Sequence, residues 1–482
     1  MTGSLLVAGT TSDAGKSVLT TGLCRWLHRQ GVRVAPFKAQ NMSNNSMVTA
    51  DGAEIGRAQW IQALAAGAEP EAAMNPVLLK PGSDLRSHVV LMGQPFGELD
   101  ASAFGSARPR LSEAAYAAYD DLRGRYDVVV CEGAGSPTEI NLREHDFVNM
   151  GLAQHGGIPT VVVGDIDRGG VFAAMYGTLK LMPADDQALV AGFVVNKFRG
   201  DRALLQPGIE MIERACDRPV LGVVPWLPDL WMDSEDSLAL PPPRDLVSGP
   251  VLRVAVLRFP RISNFTDVDA LAVEPNVDVS FTDRPAEVRE ADLAVLPGSR
   301  ATLVDLAWLR DRGLADAVVE RHRAGRPVLG ICGGFQMLGR RVADPDAVES
   351  AAPASAPGLG LLPASTRFLA GKVLGRPRGS AWGEPVTGYE IHHGAVDVRG
   401  GDPFPGGCAA GATWGTLWHG LLESDGFRRR LLTEVAAAAG RSDWMPCPGI
   451  SFAGHREARL EALAVAVEAH LDTAAVARLL DL

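Results

Sequence analysis

The chain has little cysteine and no long apolar run. Its six cysteines, spread over 482 residues, include no C-x-x-C pair and no histidine at the spacing of a zinc ligand. This scarcity argues against a disulfide framework and a structural metal site. No apolar stretch approaches the roughly 20 residues that span a bilayer, and the first residues lack the charged start and apolar core of a signal peptide. We therefore expect a cytoplasmic protein.

Positive charge is also scarce. The chain carries 46 Lys and Arg against 57 Asp and Glu, which gives a formal net charge of −11. Nucleic acids and anionic membranes are bound by clustered Lys and Arg, so this balance argues against both as partners. We expect small-molecule ligands instead, and the composition leaves the oligomeric state open.

The chain has many short apolar segments, which lie between helical stretches. In the first half they are "SLLVAG", "VRVAPF", "YDVVVCEGAG", "GIPTVVVGD", "LVAGFVVN" and "RPVLGVVP". Continuous apolar strands that alternate with helices predict a parallel sheet covered on both faces. The pattern returns in the second half as "VLRVAVLRF", "ADLAVLPGS" and "RPVLGICGG". The sequence therefore predicts two α/β domains.

Composition sets the predicted boundaries. The segment 240–250 is Pro-rich, has turn residues and lacks periodicity, which is typical of a linker. We expect one domain at 1–239 and another at 251–482. Within the second, the Ala/Pro/Ser-rich stretch 343–358 is typical of a mobile insertion.

A phosphate-binding loop is predicted near the N-terminus. "LLVAGTTSDAGKSVLTTGLCRWL" has the order strand, Gly-rich loop, Lys-Ser, helix, with one residue more between the glycines than G-x-x-x-x-G-K-[ST]. In such a loop backbone N–H groups face a triphosphate, Lys16 adds a positive charge and Ser17 holds Mg²⁺. The predicted nucleotide-binding residues are Gly9, Thr10, Thr11, Asp13, Gly15, Lys16 and Ser17.

Polar residues that end neighbouring strands extend this site. Glu132 in "YDVVVCEGAGS" is placed to share the metal with Ser17, which gives two predicted ligands for Mg²⁺. Asp165 and Asp167 end the next strand, at the edge where ligands collect in open α/β sheets. Asn196 in "NKFRGD" ends another strand, and we expect its amide to contact the purine of ATP.

An activated thiol is predicted in the second half. In "RPVLGICGGFQMLG" a strand turns sharply into a helix at Cys332, within a G-x-C-G-G pattern. Small neighbours allow the strained turn that exposes a nucleophile, and a helix N-terminus favours the thiolate form. A lone cysteine is more often an inert core residue, but the flanking glycines favour a catalytic Cys332.

The thiolate needs a base and its oxyanion needs donors. His419 in "GTLWHGLLESD" is our first candidate for the base, and His392 and His393 in "GYEIHHG" are rivals. Backbone N–H groups of Gly298 and Ser299 in "LPGSR", together with that of Gly333, are the predicted oxyanion donors. For an acid that orients the histidine, Glu423 and Asp425 are both candidates.

Together the two sites indicate one chemistry. A cysteine site can hydrolyse the glutamine amide to release ammonia, and an ATP site can convert a carboxylate into an acyl phosphate that ammonia attacks. Long parts of the chain resemble the cobyric acid synthase family of glutamine-dependent ATP amidotransferases. The strings that carry the resemblance are "PFKAQNMSNNS", "GAEIGRAQ", "MNPVLLKPGSD", "EGAGSPTEINL", "DIDRGGVFA", "VNKFRGD", "SEDS", "RISNFTD", "LPGSRAT", "GICGGFQMLG", "GYEIHHG" and "WHGLLESDGFR".

The resemblance implies a fold and a reaction. The fold is a P-loop, dethiobiotin-synthetase-like parallel-sheet domain followed by a class I glutamine amidotransferase α/β domain. The reaction is amidation of the b, d, e and g carboxylates of adenosylcobyrinic acid a,c-diamide, each with one glutamine and one ATP. Carried over by motif, Cys332 is the nucleophile and His419 its base. Leu421 stands where related glutaminases have an acid, so the sequence departs from the triad there.

The resemblance also suggests a role for the polar tract after the second strand. We expect the amides and hydroxyls of residues 40–46 to line the corrin site, because Asn and Gln can bond a carboxylate before amidation and a carboxamide after it. The predicted residues are Lys38, Gln40, Asn41, Asn44 and Asn45.

Other functions remain open at this point. One alternative is the a,c-diamide synthase reaction or another P-loop amidotransferase, such as one that aminates a pyrimidine nucleotide. The polar tract argues against the a,c-diamide synthase reaction. The missing H-x-E motif in the second half argues against amination of a pyrimidine nucleotide. A second alternative is a non-enzymatic, ParA-like ATPase switch, which has no use for a thiol.

Overall fold

The computed structural model describes residues 3–83, 86–227 and 249–482. The strands are β1 (Gly3–Gly9), β2 (Val34–Phe37), β3 (Gln40–Met42), β4 (Ser46–Val48), β5 (Glu54–Gly56), β6 (Val77–Ser83), β7 (Arg86–Leu91), β8 (Gln94–Asp100), β9 (Val128–Glu132), β10 (Thr160–Asp165), β11 (Val190–Phe198), β12 (Val220–Pro225), β13 (Leu252–Leu257), β14 (Ile262–Ser263), β15 (Val277–Thr282), β16 (Leu293–Leu296), β17 (Gly298–Ser299), β18 (Val328–Ile331), β19 (Arg341–Asp344), β20 (Ala354–Pro357), β21 (Ala364–Gly375), β22 (Arg378–Ala381), β23 (Glu384–Thr387), β24 (Glu390–Val398), β25 (Asp402–Phe404), β26 (Gly407–Ala410) and β27 (Thr413–Thr416).

Helices lie between and after these strands. They are α1 (Lys16–Arg29), α2 (Arg57–Ala65), α3 (Ala101–Arg125), α4 (Met150–Gly156), α5 (Val171–Leu181), α6 (Ala184–Leu189), α7 (Arg202–Cys216), α8 (Asp269–Ala272), α9 (Pro285–Glu290), α10 (Thr302–Asp311), α11 (Leu314–Arg323), α12 (Gly333–Leu338), α13 (Asp425–Ala438), α14 (Phe452–His470) and α15 (Thr473–Leu479). Short 3-10 helices lie at Ala72–Met74, Arg143–His145, Phe265–Val268 and Leu421–Glu423.

The first sheet has six parallel strands in the order β12-β11-β10-β1-β9-β2. They coincide with the six apolar strings of the first half. Neighbouring side chains on β1 alternate between two cores, since Leu6 packs on one face and Leu5 and Val7 on the other. Burial on both faces explains why these strings are apolar throughout.

The second sheet has the order β15-β13-β16-β18-β27-β26-β25, and its first five strands are parallel. On β16, Leu293 and Val295 enter one core while Ala294 and Leu296 enter the other. The predicted α/β fold class is confirmed for both halves. Smaller sheets, β3-β6-β7-β8 and β20-β19-β21-β24, extend from the two domains.

The end of the chain returns to the first sheet. Helix α14 packs along α1, where Val467 lies against Gly22 and Arg25 pairs with Glu457 and Glu461. Its apolar side chains Leu460 and Val467 share the core of β1. The division into 1–239, 240–250 and 251–482 stays a prediction, and this packing groups α14 and α15 with the first sheet. Most of the predicted linker lies outside the described residues.

The predicted mobile insertion is wrong as a description of residues 343–358. Its two ends form β19 and β20, which pair antiparallel from Arg341 to Pro357 within a four-stranded sheet. Strand β19 also pairs with β21. The composition of the stretch concealed these strands because Ala, Pro and Ser contribute no apolar alternation.

Candidate active site

The predicted nucleophile stands at a sharp turn. Cys332 joins β18 to α12 with φ 50° and ψ −108°, and only 6% of its surface is exposed. Glycine is needed beside it, since a Cβ on Gly334 would lie 1.9 Å from the Leu296 carbonyl oxygen. The chain thus holds the thiol in a conformation that L-residues rarely adopt.

His419 is the histidine that meets this thiol. It is 1% exposed, and its imidazole is hydrogen-bonded to Cys332. Its Nδ1 lies 2.7 Å from Oδ2 of Asp267, and the Gly420 N–H donates to Asp267 Oδ1 at 2.8 Å. Burial lowers the pKa of His419, but the charge of Asp267 and the Cys332 sulfur raise it to about 10. The site therefore has the geometry of a Cys–His–Asp triad.

The acid that contacts His419 is Asp267, and it is neither of the two candidates left open by the sequence. Glu423 instead pairs with Arg57 at 2.9 Å and with Arg456 at 2.8 Å. Asp425 accepts the Phe452 N–H at 2.9 Å and pairs with Arg428. Neither carboxylate is directed to the histidine. Asp267 is part of "RISNFTD", so the signal was present as a string, but no spacing rule connects it to a histidine 152 residues later.

The two rival histidines lie beside the site. His392 and His393 line the same cavity as Cys332, and His392 Nδ1 is 2.9 Å from the Gly394 carbonyl oxygen. Burial lowers the pKa of His393 to about 4, with help from the charges of Lys372 and Arg300. At neutral pH His393 is therefore uncharged. The contact of His419 with Asp267 is what favours His419 as the base.

The predicted oxyanion donors converge on the thiol. Strand β17, which consists of Gly298 and Ser299, pairs with β14. A Cβ placed on Gly333 would lie 2.8 Å from the Ser299 nitrogen, and one on Gly298 would lie 3.2 Å from His419 Cε1. The backbones of Ser299 and Gly333 are thus neighbours next to Cys332, as an oxyanion hole requires.

A small cavity of about 50 Å³ opens beside Cys332. Its wall carries cations and an acid, a combination suited to the charged groups of an amino acid such as glutamine. One of these cations, Lys80 on β6, comes from the first domain. The cations are Lys80, Arg300 and Lys372, and the acid is Glu349.

Glu349 comes from the stretch predicted as an insertion. Its carboxylate accepts from the Thr302 N–H at 2.6 Å. Burial raises the pKa of Glu349 to about 8, although the charge of Arg300 and the bonds from Thr302 oppose the shift. No motif or spacing in the sequence indicated that Glu349 belongs to a site.

The phosphate loop has the predicted course. Gly15 has φ +97°, and a Cβ there would lie 2.0 Å from Asn196 Nδ2. Lys16 Nζ donates to the carbonyls of Thr11 at 3.0 Å and Gly135 at 3.1 Å. Asn196 Nδ2 donates to the Ala14 carbonyl at 2.9 Å, so this amide supports the loop. A role in contacting a purine stays a prediction.

The predicted metal ligands are in contact. Ser17 Oγ donates to Glu132 Oε1 at 2.8 Å, and Lys38 Nζ donates to the same oxygen at 2.9 Å. Gln62 Nε2 donates to Oε2 at 2.5 Å. Burial raises the pKa of Glu132, but Lys38 and these hydrogen bonds outweigh it, so the net shift is downward and the group is ionised. Two adjacent oxygens fit Mg²⁺.

Any metal here would need further oxygen ligands. Within the described ranges, no group of three or more His, Cys, Asp or Glu side chains is placed to hold a metal ion. Phosphate and water oxygens are the usual additional ligands of Mg²⁺ in nucleotide sites.

The polar tract lies between the two sites. Asn41 Nδ2 bonds Gln59 at 3.0 Å, and Asn44 Nδ2 bonds the Pro81 carbonyl at 3.3 Å. Buried Gln40 Oε1 and Asn44 Oδ1 have no hydrogen-bond partner among the described residues. The buried Asn45 N–H is bonded to Ser43 Oγ at 3.0 Å. Much of the tract therefore shapes its own loop, and its role towards a corrin stays a prediction.

Comparison with known proteins defines the class. Residues 5–238 match the CobQ/CobB/MinD/ParA nucleotide binding domain, and residues 253–427 match the CobB/CobQ-like glutamine amidotransferase domain. The fold and the two sites thus define an enzyme that joins a nucleotide-binding domain to a glutamine amidotransferase domain. Among the described residues, none of the helices has the length and apolar character needed to cross a membrane.

Full-length relatives narrow the class to a family. A cobyric acid synthase of Mycolicibacterium vanbaalenii is 60% identical over 99% of this chain and 96% of its own. One of Streptomyces avermitilis is 59% identical over 100% and 97%, and one of Mycobacterium tuberculosis is 59% identical over 98% and 96%. The chain belongs to the cobyric acid synthase family, as the sequence strings indicated.

Proposed function

We propose that this protein transfers the amide nitrogen of glutamine to the b, d, e and g carboxylates of adenosylcobyrinic acid a,c-diamide. Each transfer consumes one glutamine and one ATP, and the final product is adenosylcobyric acid. The observation that carries the proposal is the combination in one chain of a Cys332–His419–Asp267 triad with a phosphate loop at Lys16. The full-length relatives support the corrin as acceptor.

The triad would release the nitrogen. The Cys332 thiol gives up its proton to His419, and the sulfur attacks the amide carbon of glutamine while the N–H groups of Ser299 and Gly333 stabilise the oxyanion. His419 donates its proton to the leaving nitrogen, which departs as ammonia and leaves a thioester. Water then attacks the thioester, gives up a proton to His419 and releases glutamate. Asp267 holds the imidazole in orientation throughout.

The phosphate loop would activate the acceptor. ATP supplies the phosphoryl group that turns a corrin carboxylate into an acyl phosphate, which ammonia then attacks. Lys16 would release its carbonyl partners to neutralise the phosphates. Ser17 and Glu132 are the side chains that would hold Mg²⁺. Lys38 stands beside them, next to the tract that we assign to the corrin.

Mass spectrometry of the corrin tests this function. The protein is incubated with ATP, Mg²⁺, glutamine and adenosylcobyrinic acid a,c-diamide, and the corrin mass is followed with time. We expect a stepwise change for each acid converted into an amide, and no change when ATP is omitted. Amidation of cobyrinic acid at a and c, with no change in the a,c-diamide, would contradict the proposal and favour the alternative acceptor.

A further inference from the structure

A hairpin of the first domain contacts the loops that carry the catalytic triad of the second. We call residues 46–57, which comprise β4, its turn, β5 and Arg57, the interface hairpin. It follows directly on the polar tract and reaches the triad by three separate contacts. The first and third contacts end on the segments that hold Asp267 and His419, and the second ends on Tyr389, which stacks on His419.

The first contact reaches the aspartate. The Ser46 N–H donates to Oδ1 of Asn264 at 2.9 Å, and both residues are buried. Asn264 has a left-handed backbone, φ 47°, and immediately precedes the 3-10 helix Phe265–Val268 that contains Asp267. The Asp267 N–H in turn donates to the Asn264 carbonyl at 3.1 Å. The hairpin thus fixes the start of the segment that orients the catalytic histidine.

The second contact reaches the histidine. Met47 and Val48 of the hairpin form a small buried cluster with Tyr389 and Ile391. The Tyr389 ring stacks on the His419 imidazole with centroids 5.3 Å apart and planes 25° apart. The two residues also exchange backbone hydrogen bonds of 3.0 and 2.9 Å. Displacing β4 would therefore release one face of the imidazole.

The third contact follows the histidine in sequence. Arg57, which is 2% exposed, pairs with Glu423 at 2.9 Å. Glu423 closes the 3-10 helix Leu421–Glu423, only three positions after Gly420, whose N–H donates to Asp267. This partly buried ion pair anchors the loop that carries His419.

We propose that the interface hairpin positions the triad for glutamine hydrolysis, and that Asn264 is the positioning residue through which it holds Asp267. The inference rests on the proposed function, since it makes nitrogen release depend on the segment next to the acceptor tract. Small errors in catalytic geometry are costly: a displacement of about 1 Å can reduce a rate about 100-fold. Loosening one of three contacts should have a smaller effect.

Two substitutions at Asn264 separate the effect of its side-chain hydrogen bond from the effect of its backbone conformation. Asn264→Gly removes the acceptor and retains the left-handed conformation, whereas Asn264→Asp keeps an acceptor oxygen. For Asn264→Gly we expect kcat of glutamine hydrolysis to fall about tenfold, with KM within about twofold. Amidation driven by added ammonium chloride should stay within about twofold of the unaltered protein. Asn264→Asp should recover most of the lost kcat.

The control is Asn276→Gly in the same domain, because Asn276 Nδ2 bonds the Met445 carbonyl at 2.7 Å. It should leave kcat for glutamine unchanged. The inference is overturned if Asn264→Gly keeps full kcat, if it raises only KM, or if it loses the glutamine and ammonium reactions equally. A failure of the proposed function gives a different result from a failure of this inference. If the proposed function is wrong, the unaltered protein amidates no corrin with either nitrogen source, but the rates of glutamine hydrolysis of the variants and the unaltered protein can still be compared.

Discussion

The two candidate sites differ in how their polar groups are paired. In the glutaminase site, Asp267, His419 and Cys332 are bonded in catalytic order. In the phosphate site, Lys16 is bonded to carbonyls and Glu132 to Ser17, Lys38 and Gln62. The triad residues are therefore already paired as hydrolysis requires, whereas the charged groups of the phosphate site must exchange partners when a nucleotide binds.

This difference predicts an asymmetry between the two sites. Changes in the triad should abolish the use of glutamine and spare the use of ammonia. Changes in the phosphate site should abolish amidation with either nitrogen source. Comparing the two nitrogen sources therefore locates a defect in one domain or the other.

The largest effect is expected at the nucleophile. Cys332→Ala should reduce glutamine-dependent amidation about 10⁴-fold or more, since no other group can form the thioester. Rates with added ammonium chloride should stay within about threefold. The two rates are measured as corrin amide formed per minute. The buried Cys408→Ala serves as a control for loss of a thiol. Equal loss with both nitrogen sources would refute the role given to Cys332.

The orienting acid comes next. Asp267→Asn should lower kcat for glutamine hydrolysis about 10³-fold, because the amide holds the imidazole less well and removes the charge that stabilises its protonated form. Rates of glutamate release measure this effect. A loss below about fivefold would show that Cys332 and His419 act as a pair without Asp267.

The same substitution should change the pH dependence of stability. The pKa of His419 is raised from 6.5 to about 10 in the folded protein, so its charged form stabilises the fold fully below pH 6.5. This stabilisation is lost as pH rises through 10. The gap in unfolding free energy between the unaltered protein and Asp267→Asn should therefore be widest near about pH 6 and narrow towards about pH 10. A gap that is constant over this range would contradict the raised pKa.

Changes in the phosphate loop should reduce amidation with both nitrogen sources, unlike changes in the triad. Lys16→Ala is expected to lower amidation about 100-fold with glutamine and with ammonium chloride alike, because a charge against the phosphates is lost. Glutamine hydrolysis without a corrin should change little, since Lys16 belongs to the phosphate loop and donates to the carbonyls of Thr11 and Gly135 in the first domain. The exposed Lys180→Ala on α5 is a matched control. A defect confined to the glutamine reaction would contradict this assignment.

The polar tract should show a smaller effect. Asn44→Ala combined with Asn45→Ala is expected to slow corrin amidation about tenfold with either nitrogen source, through the loss of about one or two hydrogen bonds. Each intermediate is followed by mass spectrometry. Unchanged rates for all four amidation steps would contradict the prediction that the tract lines the corrin site.

The smallest effect is expected at Asp425, which was one of the two candidates for the acid that orients the histidine. Asp425→Asn should leave kcat for glutamine within about twofold, because Asp425 bonds Phe452 and Arg428 and not the histidine. Its main consequence should be a modest fall in the melting temperature. A large loss of glutamine hydrolysis with an unchanged melting temperature would show that Asp425 has a role in catalysis.

The sequence was informative where chemistry depends on neighbours in the chain. Cys332 and Lys16 were found because each is set by the strand, loop and helix around it, and the apolar strings identified both parallel sheets. Asp267 was missed because its partner lies 152 residues away. The place of Lys80 in the cavity beside Cys332 was not predicted, since it requires the two domains to meet. Long-range pairing leaves no local periodicity to find.

The central claim is that nitrogen released at Cys332 is the nitrogen attached to the corrin. Glutamine labelled with ¹⁵N at its amide tests this directly, in a reaction with ATP, Mg²⁺ and adenosylcobyrinic acid a,c-diamide. We expect every new carboxamide of the product to carry ¹⁵N. Glutamate release accompanied by an unlabelled corrin, or by no corrin amide at all, would contradict the account.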